Sequence, residues 1–168
     1  MIISEQKKVY PVIAPVAFTT SAVESVYIDA DKMNWLTWFV QFGVMTSDTT
    51  DTVTLTVECS TAATSNATEV TLPFKYRLSS AVGTDTIGAI TAATTTGVAV
   101  NAGSHDAIVV EISVDPASIP AALADGRWLR IVATPSAAVA AGVISALFLG
   151  DPRYPQNLIP STHCSRAM

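Results

Sequence analysis

The stretch that most restricts the fold is residues 34–44, NWLTWFVQFGV. Its apolar residues recur at every second position, and successive side chains of a strand point to opposite faces of a sheet. The alternation therefore predicts a β-strand with one face in a core, and its β-branched and aromatic residues favour a strand over a helix. Burying that face supplies on the order of 10 kcal/mol. The predicted core residues are Leu36, Trp38, Val40, Phe42 and Val44.

The opposite face of this strand is half aromatic and half polar. Trp35 and Phe39 alternate there with Thr37 and Gln41. Such a face suits partial cover by another segment or another subunit, because its aromatic side chains favour burial while its polar side chains can remain in water. We therefore take Trp35 and Phe39 as candidate interface residues.

The same alternation recurs along the chain. Residues 52–59 carry the cleanest pattern, and with residues 34–44 they are predicted to form a hairpin. Pro73 cannot donate a ladder hydrogen bond, so the strand over residues 70–78 is expected at an edge or with a bulge. Further strands are predicted over residues 22–28, 86–91, 97–101, 107–114, 127–134 and 142–150.

One short helix is predicted near residues 116–125. Asp115 precedes Pro116, which matches the preference for aspartate at an N-cap and proline at the first helical position. Short strands at about ten-residue spacing with turns between them predict an all-β fold, an antiparallel β-sandwich of jelly-roll type.

The two ends of the chain are rich in proline and predict extended arms. Residues 1–20 and 151–168 flank a sandwich domain over residues 21–150. Proline prevents a helix in such segments, and we expect both arms to bind neighbouring subunits or a larger surface. Their apolar anchors, which join Trp35, Phe39 and Trp128 as interface candidates, are Val12, Ile13, Val16, Phe18, Tyr154, Leu158 and Ile159.

The composition excludes several classes of partner. Only 14% of the 168 residues are charged, against a usual share of about 25%, and the net charge is −5. A chain without a basic stripe is not expected to bind nucleic acid. No run of about 20 apolar residues is present, so no membrane-spanning helix is expected. A surface so low in charge is typical of a protein covered by a partner.

The candidates for catalysis or ligand binding are weak. The order Ser104-His105-Asp106 has the residue types of a triad, but adjacent residues of an extended chain point to opposite sides. Cys59 lies on the core side of its strand by pattern, whereas a nucleophilic cysteine needs exposure and a base. We therefore expect no enzyme, no cofactor and no catalytic residues.

Two binding hypotheses remain open at this point. Asp29 and Asp31 could join Asp48 or Asp51 in a cation site, but spacing alone favours solvated turn residues, so no metal site is predicted. A carbohydrate-stacking platform is the second hypothesis, although packing is the more common use of such rings. Its aromatic residues would be Trp35, Trp128 and Tyr154.

Three segments resemble the small β-sandwich structural proteins encoded beside the major capsid protein in tailed bacteriophages. They are FVQFGVMTSDTTDTVTLTVECS, GRWLRIVATPS and ISALFLGDPRYP, within a resemblance that covers about residues 20–155. Residues 79–105 depart from it, being longer than in the shorter members. The resemblance implies a decoration or cement protein on the capsid surface, often a trimer, and carries over no catalytic residues.

The expected partners are therefore the major capsid protein and further copies of this chain in a homotrimer. The expected location is the virion, after synthesis in the cytoplasm of the bacterial host. Alternatives are another virion component, such as a tail or fibre subunit, or a carbohydrate-binding sandwich. An enzyme on a jelly-roll scaffold ranks last, because the clustered histidines and carboxylates of a cupin-type metal site are missing.

Overall fold

The computed structural model describes residues 7–45, 51–64, 68–80, 86–101, 105, 107–136 and 142–153. Within them the chain forms twelve β-strands, one four-residue α-helix and two 3-10 turns. The strands are β1 Lys8–Ala17, β2 Val23–Glu24, β3 Ile28–Asp29, β4 Met33–Phe42, β5 Thr52–Ser60, β6 Glu69–Leu72, β7 Phe74–Leu78, β8 Thr91–Ala93, β9 Val98–Asn101, β10 Val109–Val114, β11 Trp128–Pro135 and β12 Val143–Pro152.

The strands form two antiparallel sheets, which confirms the all-β sandwich. Sheet A has the order β1-β12-β4-β10-β7-β8. Sheet B has the order β2-β11-β5-β6, with β3 also beside β11 and β9 also beside β5. The jelly-roll connectivity stays a prediction.

The core lies between the two sheets, on the faces that the alternation assigns. In sheet A, Trp38 is opposite Ile112 on one neighbouring strand and Phe148 on the other. In sheet B, Val57 is opposite Ile131 and Leu72. All of these side chains are buried in one cluster. Val44 is the exception to the predicted face, since it is 63% exposed just beyond the end of β4.

The prediction of an extended N-terminal arm is wrong for the described residues from 8 to 18. Lys8–Ala17 form the edge strand β1, which pairs with β12, and Phe18 follows this strand directly. Pro11 and Pro15 are tolerated because an edge strand has one side free of ladder bonds, and the register shifts twice near them. The sandwich therefore includes Lys8–Ala17 and extends to Pro152, beyond the predicted domain of 21–150.

Three of the predicted N-terminal interface residues belong to the core of their own chain. Val12, Ile13 and Phe18 are buried, and the Phe18 ring stacks on Phe42 with centroids 6.0 Å apart. Since these side chains are already covered by the chain itself, they are not available as anchors to a partner. Of that set, only Val16 is exposed.

The C-terminal boundary also differs from the prediction at its first residues. Asp151 and Pro152 still belong to β12, and Arg153 is held by its backbone N–H, which donates to the Lys32 carbonyl at 2.9 Å. Residues 154–168 lie outside the described residues, so the prediction of a C-terminal arm is untested there.

The predicted hairpin of residues 34–44 and 52–59 is wrong, because β4 belongs to sheet A and β5 to sheet B. Each strand has one wholly apolar face, and the two faces meet across the core instead of lying side by side. The segment over residues 70–78 is likewise two strands. Pro73 separates β6 in sheet B from β7 in sheet A, so the proline marks a crossing between sheets.

The strand expected over residues 22–28 is interrupted. It is present as β2 and β3, both paired with β11, and the Ser25 hydroxyl between them accepts a hydrogen bond from the Ile131 N–H at 2.9 Å. Of the two short strands expected in the low-complexity region, Val98–Asn101 agrees with its prediction, while Thr91–Ala93 begins where the other was expected to end.

The short helix is confirmed with its predicted start. The Asp115 carboxylate accepts a hydrogen bond from the Ala117 N–H at 2.9 Å, and Pro116 opens a 3-10 turn, Pro116–Ser118. The α-helix Ile119–Ala122, named α1, follows directly. The helix ends at Ala122, a little earlier than predicted.

We expect Trp38→Ala to lower the free energy of unfolding by about 3–5 kcal/mol, through lost burial and the cavity left behind. Trp38 is fully buried and packs on Phe148 with ring centroids 5.5 Å apart. Its indole N–H has no hydrogen-bond partner among the described residues, so Trp38→Phe, the matched control, loses volume but no hydrogen bond. Equilibrium urea unfolding measures both. A Trp38→Ala protein within about 1 kcal/mol of wild type would contradict the assignment of this side chain to the core.

We expect removal of residues 1–18 to destabilise the sandwich, because it uncovers the edge of β12 and exposes apolar core residues. Thermal unfolding followed by circular dichroism measures the effect. Removal of residues 1–6 alone is the control and is expected to leave the midpoint nearly unchanged. Equal midpoints for the two truncated proteins would show that β1 contributes little.

Candidate functional site

The residues considered for catalysis do not form a reactive site in the described part of the chain. Cys59 is buried in the core, and burial raises the pKa of its thiol to about 11, so the nucleophilic thiolate is scarce at neutral pH. His105 is half-buried, while Ser104 and Asp106 lie outside the described residues.

Of the four aspartates considered for a cation site, Asp29 and Asp31 are partners of basic side chains, and Asp51 is buried. Asp29 binds Arg127 through both carboxylate oxygens, with N–O distances of 2.7 Å, and Lys32 approaches it at 2.9 Å. Asp31 lies 3.3 Å from Arg127. Asp48 lies outside the described residues. Among those that are described, no group of three or more metal-ligating side chains is present.

The predicted interface residues outside the arms lie on two different sheets. Trp35 on β4 is 40% exposed and Phe39 on the same strand is half-buried, both on the outer face of sheet A. Trp128 is half-buried on β11 in sheet B, with the Arg127 guanidinium 5.3 Å from its ring centroid. The structure therefore does not bring Trp35 and Trp128 into one aromatic platform. Tyr154, Leu158 and Ile159 lie outside the described residues.

Adjacent apolar side chains form a patch on the outer face of sheet A. Phe39 is opposite Leu147 on β12, and Leu147 is opposite Pro11 on β1. In the next row, Leu149 is opposite Val9. Leu147 is 49% exposed. We call Val9, Phe39, Leu147 and Leu149 the apolar patch.

A shallow groove of about 290 Å³ lies beside the apolar patch, on the same outer face. It crosses β4, β10 and β7, and Trp35 lies on one side of it while Lys75 and Arg77 lie on the other. Small hydroxyl side chains lie between these walls: Ser113 lines the groove, and its hydroxyl is 3.3 Å from that of Thr37. Tyr76, Ile90 and Glu111 complete the lining.

The outer face of sheet B carries a buried charge cluster that the sequence reasoning missed. Arg130 is only 6% exposed, and its guanidinium is paired with Glu24, with Glu58 at 2.9 Å and with Glu69 at 3.0 Å. The Tyr27 ring lies 5.0 Å from that guanidinium, and its hydroxyl donates to Glu69. Burial, followed by this hydrogen bond, raises the pKa of Tyr27 to about 12.

The charge cluster is a structural unit whose members come from separate strands. Only Glu58 lies directly opposite Arg130, across β5 and β11. The others approach diagonally, so their meeting depends on which strands are neighbours. The one available signal was a single arginine placed between two apolar outward residues of its strand, Trp128 and Val132.

The GRW segment quoted for the resemblance has a clear local role. A Cβ atom at Gly126 would lie 2.6 Å from the Cys59 sulfur, so the chain can approach the core there only with glycine. Arg127 then ties β11 to Asp29 of β3 through the paired contacts described above. The segment therefore fixes the start of β11 and lines no reactive site.

No helix in the described residues is long and apolar enough to cross a membrane. Comparison of the chain with protein-family models, with curated proteins and with solved structures gives no match in any of the three.

The ion pair of Asp29 and Arg127 predicts a stability change in acid. The hydrogen bonds that Arg127 donates to Asp29 hold the pKa of the Asp29 carboxyl at about 2, below the ordinary value of 3.8. The unfolded chain therefore takes up the proton first, so the stabilisation is present above about pH 4 and is lost as the pH falls towards 2.

We expect Asp29→Asn to lower the free energy of unfolding by about 1–2 kcal/mol at pH 7, with allowance for solvent around Arg127, and by almost nothing near pH 2. Denaturant unfolding across that range measures the difference. Asp31→Asn is the control, since Asp31 is well exposed and pairs at a longer distance. A difference between Asp29→Asn and wild type that does not change with pH would contradict the account.

Proposed function

We propose that this chain is a structural virion protein that binds the outer surface of a tailed-phage capsid and stabilises it. The phage context rests on the resemblance of the three sequence segments to decoration proteins. The surfaces of the described residues supply the physical support, and they favour a protein that binds a large partner over one that turns over a substrate.

The observation that carries the proposal is the apolar patch of sheet A. Side chains such as Leu147 and Val9 remain uncovered on the outer face of sheet A, on β12 and on the neighbouring edge strand β1. Contiguous exposed apolar surface of this kind is typical of sites where another protein packs. A further copy of the chain can cover the patch in a closed, symmetric assembly, the usual architecture of soluble oligomers.

The lack of reactive groupings in the described residues agrees with such a role. Cys59 is buried and its thiol pKa is raised, the aspartates near Arg127 are paired with it, and the buried Arg130 is paired with three glutamates. The ion pairs of Arg127 and Arg130 hold neighbouring strands of sheet B together, so these charged groups are engaged with one another.

We propose a homotrimer in which the apolar patch forms the contact between subunits, and a C-terminal segment, residues 154–168, that contacts the capsid. The second part rests on the apolar residues of that segment, Tyr154, Leu158 and Ile159, and on its attachment at the end of β12. Many copies on one particle would strengthen individually weak contacts through avidity.

We expect the wild-type protein to be a trimer at micromolar concentration and Leu147→Lys to be monomeric, because a lysine in the patch would place a charge in an apolar contact. Light scattering coupled to size-exclusion chromatography measures the mass. Thr134→Lys is the matched control, since Thr134 is exposed on β11 of the other sheet. A monomeric wild type, or a trimer that persists in Leu147→Lys, would contradict this subunit contact.

The capsid role is tested with purified virions. We expect the protein to sediment with them and a cryo-EM map to place the sandwich on the outside of the shell. A chain that lacks residues 154–168 should remain a trimer and be released more easily by heat. Density for the sandwich in a tail or fibre, or none on the particle, would contradict the capsid role.

A further inference from the structure

The groove beside the apolar patch has the make-up of a small-ligand site, separate from the proposed subunit contact. Its volume of about 290 Å³ is close to the lower end for ligand pockets, roughly 300 Å³. Its lining combines one large exposed aromatic ring, Trp35, with convergent polar groups of Lys75, Arg77, Glu111 and Ser113.

The sequence makes the groove by placing two short side chains opposite each other. Ser113 of β10 is paired with Thr37 of β4 in the sheet register. On the other side Ser113 is paired with Lys75 of β7. Because Ser113 and Thr37 are short and their neighbours Trp35 and Lys75 are long, the outer face is lowered between them. The Ser113 hydroxyl lines the bottom of the groove, while Thr37 itself is buried.

The charges of the groove are unequal. Arg77 and Glu111 form an ion pair with each other across β7 and β10. Lys75 is exposed and makes no ion pair within the described residues, so its ammonium is free to meet a ligand. The groove thus holds a cation excess on a chain whose net charge is −5.

We propose that this groove binds a saccharide unit that carries a carboxylate, such as a uronic acid within a longer glycan. The Trp35 ring supplies a flat apolar surface for the C–H face of a sugar. Lys75 pairs with the sugar carboxylate, and the Glu111 carboxylate accepts hydrogen bonds from sugar hydroxyls. The Ser113 hydroxyl both donates and accepts at the bottom of the groove.

The same lining disfavours other classes of small ligand. A phosphate group would carry about two negative charges next to Glu111, which costs more than a single carboxylate held at Lys75. A purely apolar ligand would remove water from the Ser113 hydroxyl, whose remaining partner within the described residues is the Thr37 hydroxyl. An acidic saccharide avoids both costs. Its carboxylate carries a single negative charge, and its ring has an apolar face and a polar rim.

The proposal is tested on the isolated full-length protein, so its outcome does not depend on the capsid role. Binding is measured by isothermal titration calorimetry at pH 7 with three ligands. Tri-galacturonic acid carries sugar rings and carboxylates, its fully methyl-esterified form keeps the rings without the charge, and adenosine monophosphate tests for recognition of phosphate. We expect the acid to bind about three- to tenfold more tightly than the ester, because Lys75 is exposed and solvent weakens its pairing with the carboxylate. Adenosine monophosphate should bind more weakly than either sugar.

Two variants and a control assign the contacts. Lys75→Ala should reduce the affinity for the acid to that for the ester, and Trp35→Ala should weaken both by about tenfold or more. Lys8→Ala, on edge strand β1, should change neither. Amide shifts of the wild-type protein by NMR should change around Lys75 and Ser113, a readout that does not require any variant to fold.

The proposal is overturned if neither saccharide binds with a Kd below about 10 mM, or if the amide shifts that change lie away from the groove. Equal affinity for acid and ester would remove the acidic class of ligand, and tighter binding of adenosine monophosphate would assign the groove to phosphates. Full binding by both Lys75→Ala and Trp35→Ala would place the site elsewhere.

Discussion

The structure depends on the contact between the inner faces of sheets A and B, with Trp38 at its centre. This side chain lies on β4, which has β12 on one side and β10 on the other, so it packs within the most enclosed part of sheet A. Apolar burial is the largest favourable contribution to folding and has no preferred direction. The antiparallel registers determine which side chains become neighbours in the core, since they place Ile112 and Phe148 on either side of Trp38.

The inner faces of both sheets are apolar because they form the core, whereas the two outer faces differ in charge and in apolar character. Sheet B carries Arg130 among three glutamates, a cluster with an excess of negative charge. Sheet A carries the apolar patch and, next to it, the groove lined by Lys75, which makes no ion pair with any described residue. A partner that approaches the molecule therefore meets two chemically distinct surfaces, one suited to polar solvent and the other to contact.

The alternation of the sequence predicted which side chains face the core in β4, β5, β10 and β11, because the two-residue period acts within a single strand. It could not predict which strands become neighbours. The pattern of β5 would be the same beside β4 or across the core from it, so the expected hairpin was wrong. The Arg130 cluster was missed for the same reason, as its glutamates come from β2, β5 and β6. The groove depends on the pairing of Ser113 with both Thr37 and Lys75, which no local pattern contains.

The two prolines of β1 have a consequence for how copies of the protein can meet. Each proline lacks an N–H, and the shifts of register near them interrupt the regular spacing of the remaining backbone groups. The opposite edge of sheet A, β8, is only three residues long. Neither edge offers a long template to which a further strand could add, which is the usual route by which β-proteins polymerise. Even when copies are crowded side by side, sheet A is thus protected against growth into a continuous sheet and remains free to associate through its outer face.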